Sequence, residues 1–328
     1  NIYVGYKFYE TAAAEGLIDY DKTVVYPFGH GLSYTSFTQT LNSVTESDGT
    51  ITVDVTVTNT GSVSGKDVVE VYYNPPYTNG GIEKASANLI GFAKTSEIAA
   101  GASENVQVTF KAEDMASYDA HGKGCYVLEK GDYIISINSD SHNVIDSKTY
   151  TVASDIVYNE SNPRSSDQTV ATNEFDFAEG NVTYLSRADG FANYAEATAA
   201  PTDYSMPAEA KATFYNNSNY DPNDFNSPDD VAPTTGAKNG IQLADMVGVA
   251  YDDEKWDSFL DQLTVADMDS LIALGGYQSV AVSSVGKVQA IDCDGPASIN
   301  NNFTQQGSIG FPSAVMIAAT WNTDLAHS

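Results

Sequence analysis

The chain has 328 residues, of which 42% are apolar, and its 44 acidic and 15 basic side chains give a formal net charge of −29. This length predicts about two or three domains rather than one. The charge excludes nucleic acid and anionic membranes as partners, because their phosphates require a surface rich in lysine and arginine. A neutral, hydroxyl-rich ligand such as a sugar is not repelled.

The first 36 residues combine a helix candidate with a rigid loop. The helix is predicted around Tyr6–Ala14. The stretch Tyr26-Pro-Phe-Gly-His-Gly-Leu-Ser-Tyr34 places a histidine between two glycines and after a proline, which is typical of a tight loop. His30 is then either a hydrogen-bonded structural residue or a catalytic one.

From Phe37 to about Val157 the apolar pattern has a period of two. In Thr50–Thr58, for example, isoleucine or valine alternates with polar residues, which predicts a half-buried strand. Further strand candidates and turn signals follow at short intervals, without a convincing helix, and this pattern is typical of a β-sandwich. The core candidates are Val53, Val55, Val57, Val71, Phe110, Tyr133 and Ile135.

Residues 158–240 are rich in Asn, Asp, Ser, Thr, Ala and Pro and have little periodicity. A structureless loop of this length is uncommon in a compact protein. We therefore predict a linker that packs against neighbouring domains.

Helical periodicity returns after Gly240. Trp256, Phe259, Leu260 and Leu263 would share one helix face, and Thr264-Val-Ala-Asp267 resembles a capping box. This box opens a second helix with an apolar face, which ends at a glycine pair. That face consists of Met268, Leu271 and Ile272.

A strand and a further helix complete the pattern. The strand is predicted at Lys287–Ile291 and the helix begins near Asn322. The order strand, loop and helix indicates a βα unit.

Two carboxylates follow the predicted strand, in Ala290-Ile-Asp-Cys-Asp-Gly-Pro-Ala297. At the carboxyl end of a barrel strand, Asp294 would accept charge-assisted hydrogen bonds from the hydroxyls of a ligand. Alternatively, Asp294 is an ordinary turn residue that accepts a hydrogen bond from its own backbone. The turn alone leaves both interpretations open.

No metal site and no cofactor are predicted. Cys125 and Cys293 are too far apart for a CxxC motif, and the four histidines lack metal-ligand spacing. Two free, mostly buried thiols are expected. No uncharged apolar run approaches the roughly 20 residues of a membrane-spanning helix.

Three sets of motifs resemble glycoside hydrolase family 3. Asp294-Gly-Pro, with Phe311-Pro and Ala318-Ala-Thr-Trp-Asn322, resembles the opening of the family's catalytic barrel. The stretches at 2–6 and 26–35 are similar to the end of its α/β sandwich domain. The β-rich region, with Leu89-Ile-Gly-Phe92, is similar to its fibronectin type III-like module. The resemblance covers nearly the whole chain.

The resemblance implies a fold that is mainly β plus α/β. Residues 1–36 would end the α/β sandwich domain, and 37–157 would form a complete fibronectin type III-like β-sandwich. Residues 158–240 would be the packed interdomain linker, and 241–328 the start of the catalytic (β/α)8-type barrel. This order matches the minority of family 3 β-glucosidases whose two catalytic domains are swapped in sequence, so the chain would be the central fragment of a longer enzyme.

Enzymes of this family are retaining, exo-acting β-glycosidases that use a barrel aspartate as nucleophile and a glutamate as acid/base. The resemblance implies that Asp294 binds hydroxyls of the terminal non-reducing glucosyl residue of a β-linked oligosaccharide or glycoside. Asp292 and His30 would support that site or lie at its rim. Neither catalytic residue is recognised in the chain, so the fragment alone is predicted to be inactive. Ser298-Ile-Asn300 stands where the family often has Gly-Val-Arg, so a basic contact is missing.

Two alternatives remain open. The chain would instead be a non-catalytic surface or adhesion module built around the same sandwich, or a family relative that acts on β-xylosides or N-acetylhexosaminides. The sequence leaves open the aglycone, the oligomeric state and the compartment, whether cytoplasmic or secreted.

Overall fold

The computed structural model describes residues 2–174, 182–206, 208–213, 220–295, 297–301 and 305–328. They form two compact units. The first unit comprises the chain up to Thr202 together with Ala319–Ser328, and the second comprises Asp203–Ala318. Within the described residues, no helix is both long enough and apolar enough to span a membrane.

The described part of the first unit is mainly β, as the sequence predicts. Its strands are β1 Phe37–Ser47, β2 Thr50–Asn59, β3 Val68–Asn74, β4 Asn88–Lys94, β5 Ser103–Lys111, β6 Ser117–Tyr118, β7 Tyr126–Leu128, β8 Gly131–Asn138, β9 Val144–Val152 and β10 Ile156–Tyr158. They form antiparallel sheets in the orders β1-β2-β5 and β4-β3-β8-β9, with a small third sheet, β10-β7-β6. The two larger sheets share one apolar core and so make a β-sandwich.

Strand β2 shows why the sequence folds this way. Its Ile51, Val53, Val55 and Val57 are fully buried, whereas the polar residues between them are only half-buried. Because successive side chains of a strand point to opposite faces, this alternation places one apolar row in the core. All seven predicted core residues, from Val53 to Ile135, belong to the buried cluster, so that prediction is confirmed.

Short helices flank the sandwich within the first unit. They are α1 Tyr6–Ala14, α2 Tyr20–Thr23, α3 Ala188–Phe191, α4 Tyr194–Ala197 and, near the end of the chain, α9 Thr323–His327. The predicted helix at Tyr6–Ala14 is confirmed. Its Ala12 is buried in a small apolar cluster with Tyr3 and Phe191, whose rings meet edge to face at 5.0 Å.

The second unit has short elements around a small core. Its helices are α5 Ala208–Thr213, α6 Lys255–Leu260, α7 Val265–Ala273 and α8 Ala314–Ala318, and its strands are β11 Gln278–Ser279, β12 Ala290–Ile291, β13 Asn300–Asn301 and β14 Gln306–Gly307. Turns of 3₁₀-helix occur at Ala112–Met115 in the first unit and at Pro222–Phe225, Leu243–Met246 and Ser283–Val285 in the second. The core is formed by Met246, Phe259, Leu263, Val282 and Val285.

The capping box of α7 is confirmed. Thr264 Oγ1 accepts a hydrogen bond from the backbone N–H of Asp267 at 3.1 Å, and Asp267 Oδ2 accepts one from the backbone N–H of Thr264 at 2.9 Å. The predicted apolar faces are wrong at Leu260 and Ile272, which are 52% and 83% exposed. The core of this unit is small, so each short helix buries only part of its apolar face in it.

Two further expectations need correction. The predicted strand at Lys287–Ile291 is reduced to β12, which pairs antiparallel with β11. A parallel βα strand needs parallel neighbours, and within the described residues β12 pairs instead with a segment that is close in sequence. Both cysteines are free, but only Cys125 is buried and Cys293 is exposed, because it lies in the turn after β12.

Candidate functional site

The turn that carries Asp292 and Asp294 lies in the second unit, directly after β12. The N–H of Asp292 donates to the carbonyl of Tyr277 at 2.9 Å. Asp294 and Asn300 exchange two backbone hydrogen bonds, of 2.8 and 3.1 Å. These bonds fix the backbone on both sides of Cys293 and therefore the direction in which both carboxylates leave it.

A buried amide closes this turn. Asn301 is only 2% exposed, and its Nδ2 donates to the carbonyl of Asp292 at 2.7 Å and to that of Tyr277 at 3.4 Å. The amide of Asn301 thus links the Asp292–Asp294 turn to the start of the β11–β12 pair. Asn301 is not among the site residues predicted from the sequence. The run of three asparagines at 300–302 is the signal that could have indicated it.

The carboxylate of Asp294 is exposed and accepts no hydrogen bond from the described residues. Pro296 lies outside those residues, but proline has no N–H to donate. The N–H of Ala297 does not donate to Asp294 either. The arrangement therefore lacks the backbone cap of an ordinary turn aspartate, and it leaves both oxygens available to hydroxyl donors.

Asp292 contributes through its backbone. Its carbonyl accepts the bond from Asn301, whereas its carboxylate is exposed and has no partner among the described residues. The turn therefore presents two exposed carboxylates, one on each side of Cys293.

His30 lies in the first unit, on a loop with a fixed backbone. The N–H of His30 donates to the carbonyl of Pro27 at 3.1 Å, and the N–H of Ser141 donates to the carbonyl of Phe28 at 2.7 Å. The ring of Phe28 stacks on that of Tyr6 at 4.7 Å. The imidazole of His30 is exposed, so the loop presents it to solvent rather than burying it in the core.

Trp321 of the Ala-Ala-Thr-Trp-Asn motif also belongs to the first unit. Its ring lies 5.7 Å from that of Phe28 and 4.9 Å from that of Phe92, and both contacts are edge to face. Lys94 Nζ donates to the carbonyl of Thr320, the residue before Trp321. One residue from each of the three motif sets, Trp321, Phe28 and Phe92, therefore lies at this aromatic contact.

A cluster of serine, histidine and glutamate lies nearby but is not arranged for nucleophilic catalysis. The buried carboxylate of Glu10 accepts hydrogen bonds from the hydroxyls of Ser141 and Tyr20, at 2.8 and 2.6 Å, and lies 2.9 Å from Nδ1 of His142. The serine proton points to the carboxylate and not to the imidazole, so the relay that activates a serine is absent. The cluster instead ties α1 to the connection between β8 and β9.

Below the His30 loop, the carboxylate of Glu70 is buried without a cationic partner among the described residues. Glu70 is 3% exposed, and its Oε2 accepts a hydrogen bond from the hydroxyl of Tyr72 at 2.8 Å. Gly29 covers it with a φ of 91°, and a Cβ at that position would lie 2.5 Å from Oε2. Burial raises the pKa of Glu70 to about 7, and the charges of Asp140 and Asp67 act in the same direction.

This pKa predicts a loss of stability at rising pH. In the folded state Glu70 stays protonated up to about pH 7, whereas its ordinary pKa is 4.5. Between these values the folded state binds more protons, so the free energy of unfolding should fall as pH rises from about 4.5 to about 7. Glu70→Gln should flatten this decline in urea titrations. Glu160 is exposed, so the matched control Glu160→Gln should show the same pH-dependent decline as wild type. An equal decline in both variants would refute the assignment to Glu70.

The described residues contain no group of three or more His, Cys, Asp or Glu side chains that could hold a metal ion. The Asp294 turn offers two exposed carboxylates on a fixed backbone. Such groups bind hydroxyl donors.

The chain is similar to a known domain family and to curated proteins. The fibronectin type III-like domain family matches residues 67–141. Beta-glucosidase A of Butyrivibrio fibrisolvens is 30% identical over 365 aligned residues, which cover 100% of this chain and 41% of the relative. A beta-glucosidase of Ruminococcus albus is 29% identical over 344 residues, which cover 99% and 32%. The chain thus spans 41% and 32% of the lengths of these two curated relatives.

A solved structure is similar over the same extent. The beta-glucosidase of Paenibacillus barengoltzii has a TM-score of 0.62 and 25% sequence identity, with 100% of this chain and 35% of that chain covered. The similarity therefore includes the described parts of both units and not the sandwich alone.

Proposed function

We propose a function from the premise that this chain belongs to glycoside hydrolase family 3: it is the central part of a β-glucosidase that removes terminal non-reducing β-D-glucosyl residues. The observation that carries the proposal is the similarity to a β-glucosidase over 100% of the chain, including the Asp294 turn. An adhesion module built around the sandwich would not need the second unit. That extent therefore favours the hydrolase.

The proposed domain order also draws on this similarity. One alignment runs through the region of the α/β sandwich end, 1–36, the fibronectin type III-like module, 37–157, the linker, 158–240, and the barrel start, 241–328. An enzyme with its barrel first would match the chain only in pieces. The continuous match supports a parent protein in which the two catalytic domains are swapped in sequence.

Asp294 has a defined role in this proposal. Its carboxylate accepts hydrogen bonds from hydroxyls of the terminal sugar, and the bond pair with Asn300 and the amide of Asn301 hold it in place. Hydrogen bonds to a charged acceptor are stronger than those to a neutral one. We expect these bonds to strengthen further as the sugar ring distorts toward the oxocarbenium-like transition state. The nucleophile and the acid/base are supplied by the rest of the enzyme. Asp292 and His30 remain candidates for the support and the rim of the site.

A substrate panel tests the proposal. The complete enzyme should hydrolyse an aryl β-glucoside with a kcat/KM at least about tenfold above those for the β-xyloside and the N-acetyl-β-glucosaminide, because a built hydroxyl contact discriminates strongly. The 328-residue chain, assayed beside it, should show only background hydrolysis, because we assign the nucleophile and the acid/base to the rest of the enzyme. A preference for the xyloside or the hexosaminide would replace the proposed substrate, and turnover by the chain alone would place the catalytic groups within it.

A further inference from the structure

The first unit contains a cavity of about 670 Å³, which is within the usual range of small-molecule sites. It lies between α1, the β3–β4 side of the sandwich and four later residues, Arg164, Asn173, Tyr184 and Leu185. Its wall is rich in tyrosine. The lining tyrosines are Tyr3, Tyr73, Tyr118, Tyr126 and Tyr184.

Two hydrogen-bond donors on this wall have no partner among the described residues. Tyr73 is 9% exposed, and its hydroxyl donates to none of these residues. Lys7 is half-buried, and its ammonium group likewise has no acceptor there. Burial lowers the pKa of Lys7 and raises that of Tyr73. The hydroxyl of Tyr73 and the ammonium group of Lys7 are therefore available to hydrogen-bond a ligand in the cavity.

An acceptor lines the same cavity. Asp114 Oδ2 accepts a hydrogen bond from the backbone N–H of Lys111 at 3.0 Å, and Oδ1 has no partner among the described residues. Lys84, also on the wall, is already paired with the carboxylate of Glu129. The unpartnered groups thus include a neutral hydroxyl, a cationic donor and an anionic acceptor. A neutral ligand with many hydroxyls can bond to all three, whereas an anion would be repelled by the carboxylate.

The aromatic part of the wall is preformed. The guanidinium of Arg164 lies 3.9 Å from the ring centroid of Tyr126, and two hydrogen bonds of 2.9 Å to Asp167 hold it there. The ring of Tyr118 meets that of Tyr126 edge to face at 5.4 Å. Amphipathic rings held in this way offer apolar faces beside polar tips, and a pyranose presents the matching C–H faces and hydroxyls.

We propose that this cavity binds a neutral β-linked gluco-oligosaccharide, with Tyr73 and Lys7 donating to its hydroxyls and Asp114 accepting from them. The choice of glucose rests on the proposed function, whereas the choice of a neutral saccharide rests on the lining groups. The site contains none of the residues that we assign to catalysis, so it serves to hold the saccharide.

Titration calorimetry of the 328-residue chain with cellotetraose tests this proposal. Saturable binding is expected. Tyr73→Phe, which keeps the ring, should raise Kd by about 2- to 12-fold, and Lys7→Met by about 10-fold or more, because each loses a hydrogen bond. The matched control Lys66→Met, at an exposed lysine of the same unit that does not line the cavity, should change Kd less than about twofold, and Asp294→Ala is measured beside it. Thermal melts should establish that every variant folds.

The outcomes separate this site from the proposed function. No saturable binding, or binding unchanged by Tyr73→Phe and Lys7→Met, would overturn the cavity proposal even if the complete enzyme hydrolyses β-glucosides. Loss of binding in Asp294→Ala alone would assign the saccharide to the Asp294 turn instead. Binding that follows Tyr73 and Lys7 would stand even if the complete enzyme failed on every substrate of the panel.

Discussion

In the complete enzyme, Asp294→Ala is expected to lower kcat/KM for an aryl β-glucoside by roughly 10- to 200-fold. The carboxylate is exposed on a fixed turn and has no partner among the described residues, so its hydrogen-bonding capacity is available to the substrate. Alanine would leave the sugar hydroxyls that it holds unpaired in the transition state. The loss of rate should be measured at substrate concentrations well below KM, where kcat/KM determines the rate.

Asp292→Ala is the matched control for this prediction. Asp292 is also exposed and its carboxylate also has no partner among the described residues, but it holds the turn through its carbonyl, which alanine retains. Its kcat/KM should stay within about threefold of wild type. A deoxy substrate that lacks the hydroxyl bound by Asp294 should react about equally with wild type and Asp294→Ala. If Asp294→Ala keeps near-normal kcat/KM on the glucoside, Asp294 is a turn residue only.

Ile135→Ala is expected to destabilise the sandwich by about 2–5 kcal/mol. Ile135 is fully buried in the core shared by the two larger sheets, and alanine would leave a cavity there. Ile134, the next residue of β8, faces the other way and is 38% exposed, so Ile134→Ala should cost less than about 1 kcal/mol.

Hydrogen exchange of the amides of β3 and β8 measures this difference in the sandwich itself. The exchange should speed up markedly in Ile135→Ala and little in Ile134→Ala, because these amides open with the core. Equal effects of the two substitutions would mean that the assigned core face of β8 is wrong.

Local signals in the sequence account for the elements that were predicted well. The alternation of β2 and the capping box at Thr264 each depend on residues close together in the chain, and both occur as expected. The edge strands β1 and β9 carry little signal. Leu41 is the one buried residue of β1 and Val152 that of β9, so neither strand has an alternating apolar row.

The rest depended on contacts that no short pattern contains. Glu70 and Tyr72 lie on the face of β3 away from the sandwich core, and the N-terminal segment buries both through Gly29 and Tyr6. A period-two pattern would instead expose that face. Likewise, the Asp294 turn could be predicted from its Asp-Gly-Pro sequence, whereas its closure by the buried amide of Asn301 could not.

We propose above all that the chain is part of a retaining β-glucosidase whose catalytic groups lie elsewhere in the protein. The most direct test is ¹H NMR of the first sugar released from an aryl β-glucoside by the complete enzyme, with the 328-residue chain alone as the blank. We predict that β-glucose appears first and then mutarotates, because a covalent glycosyl-enzyme preserves the configuration, and that the chain alone releases none. Initial release of α-glucose, or release by the chain alone at a rate like that of the complete enzyme, would contradict this claim.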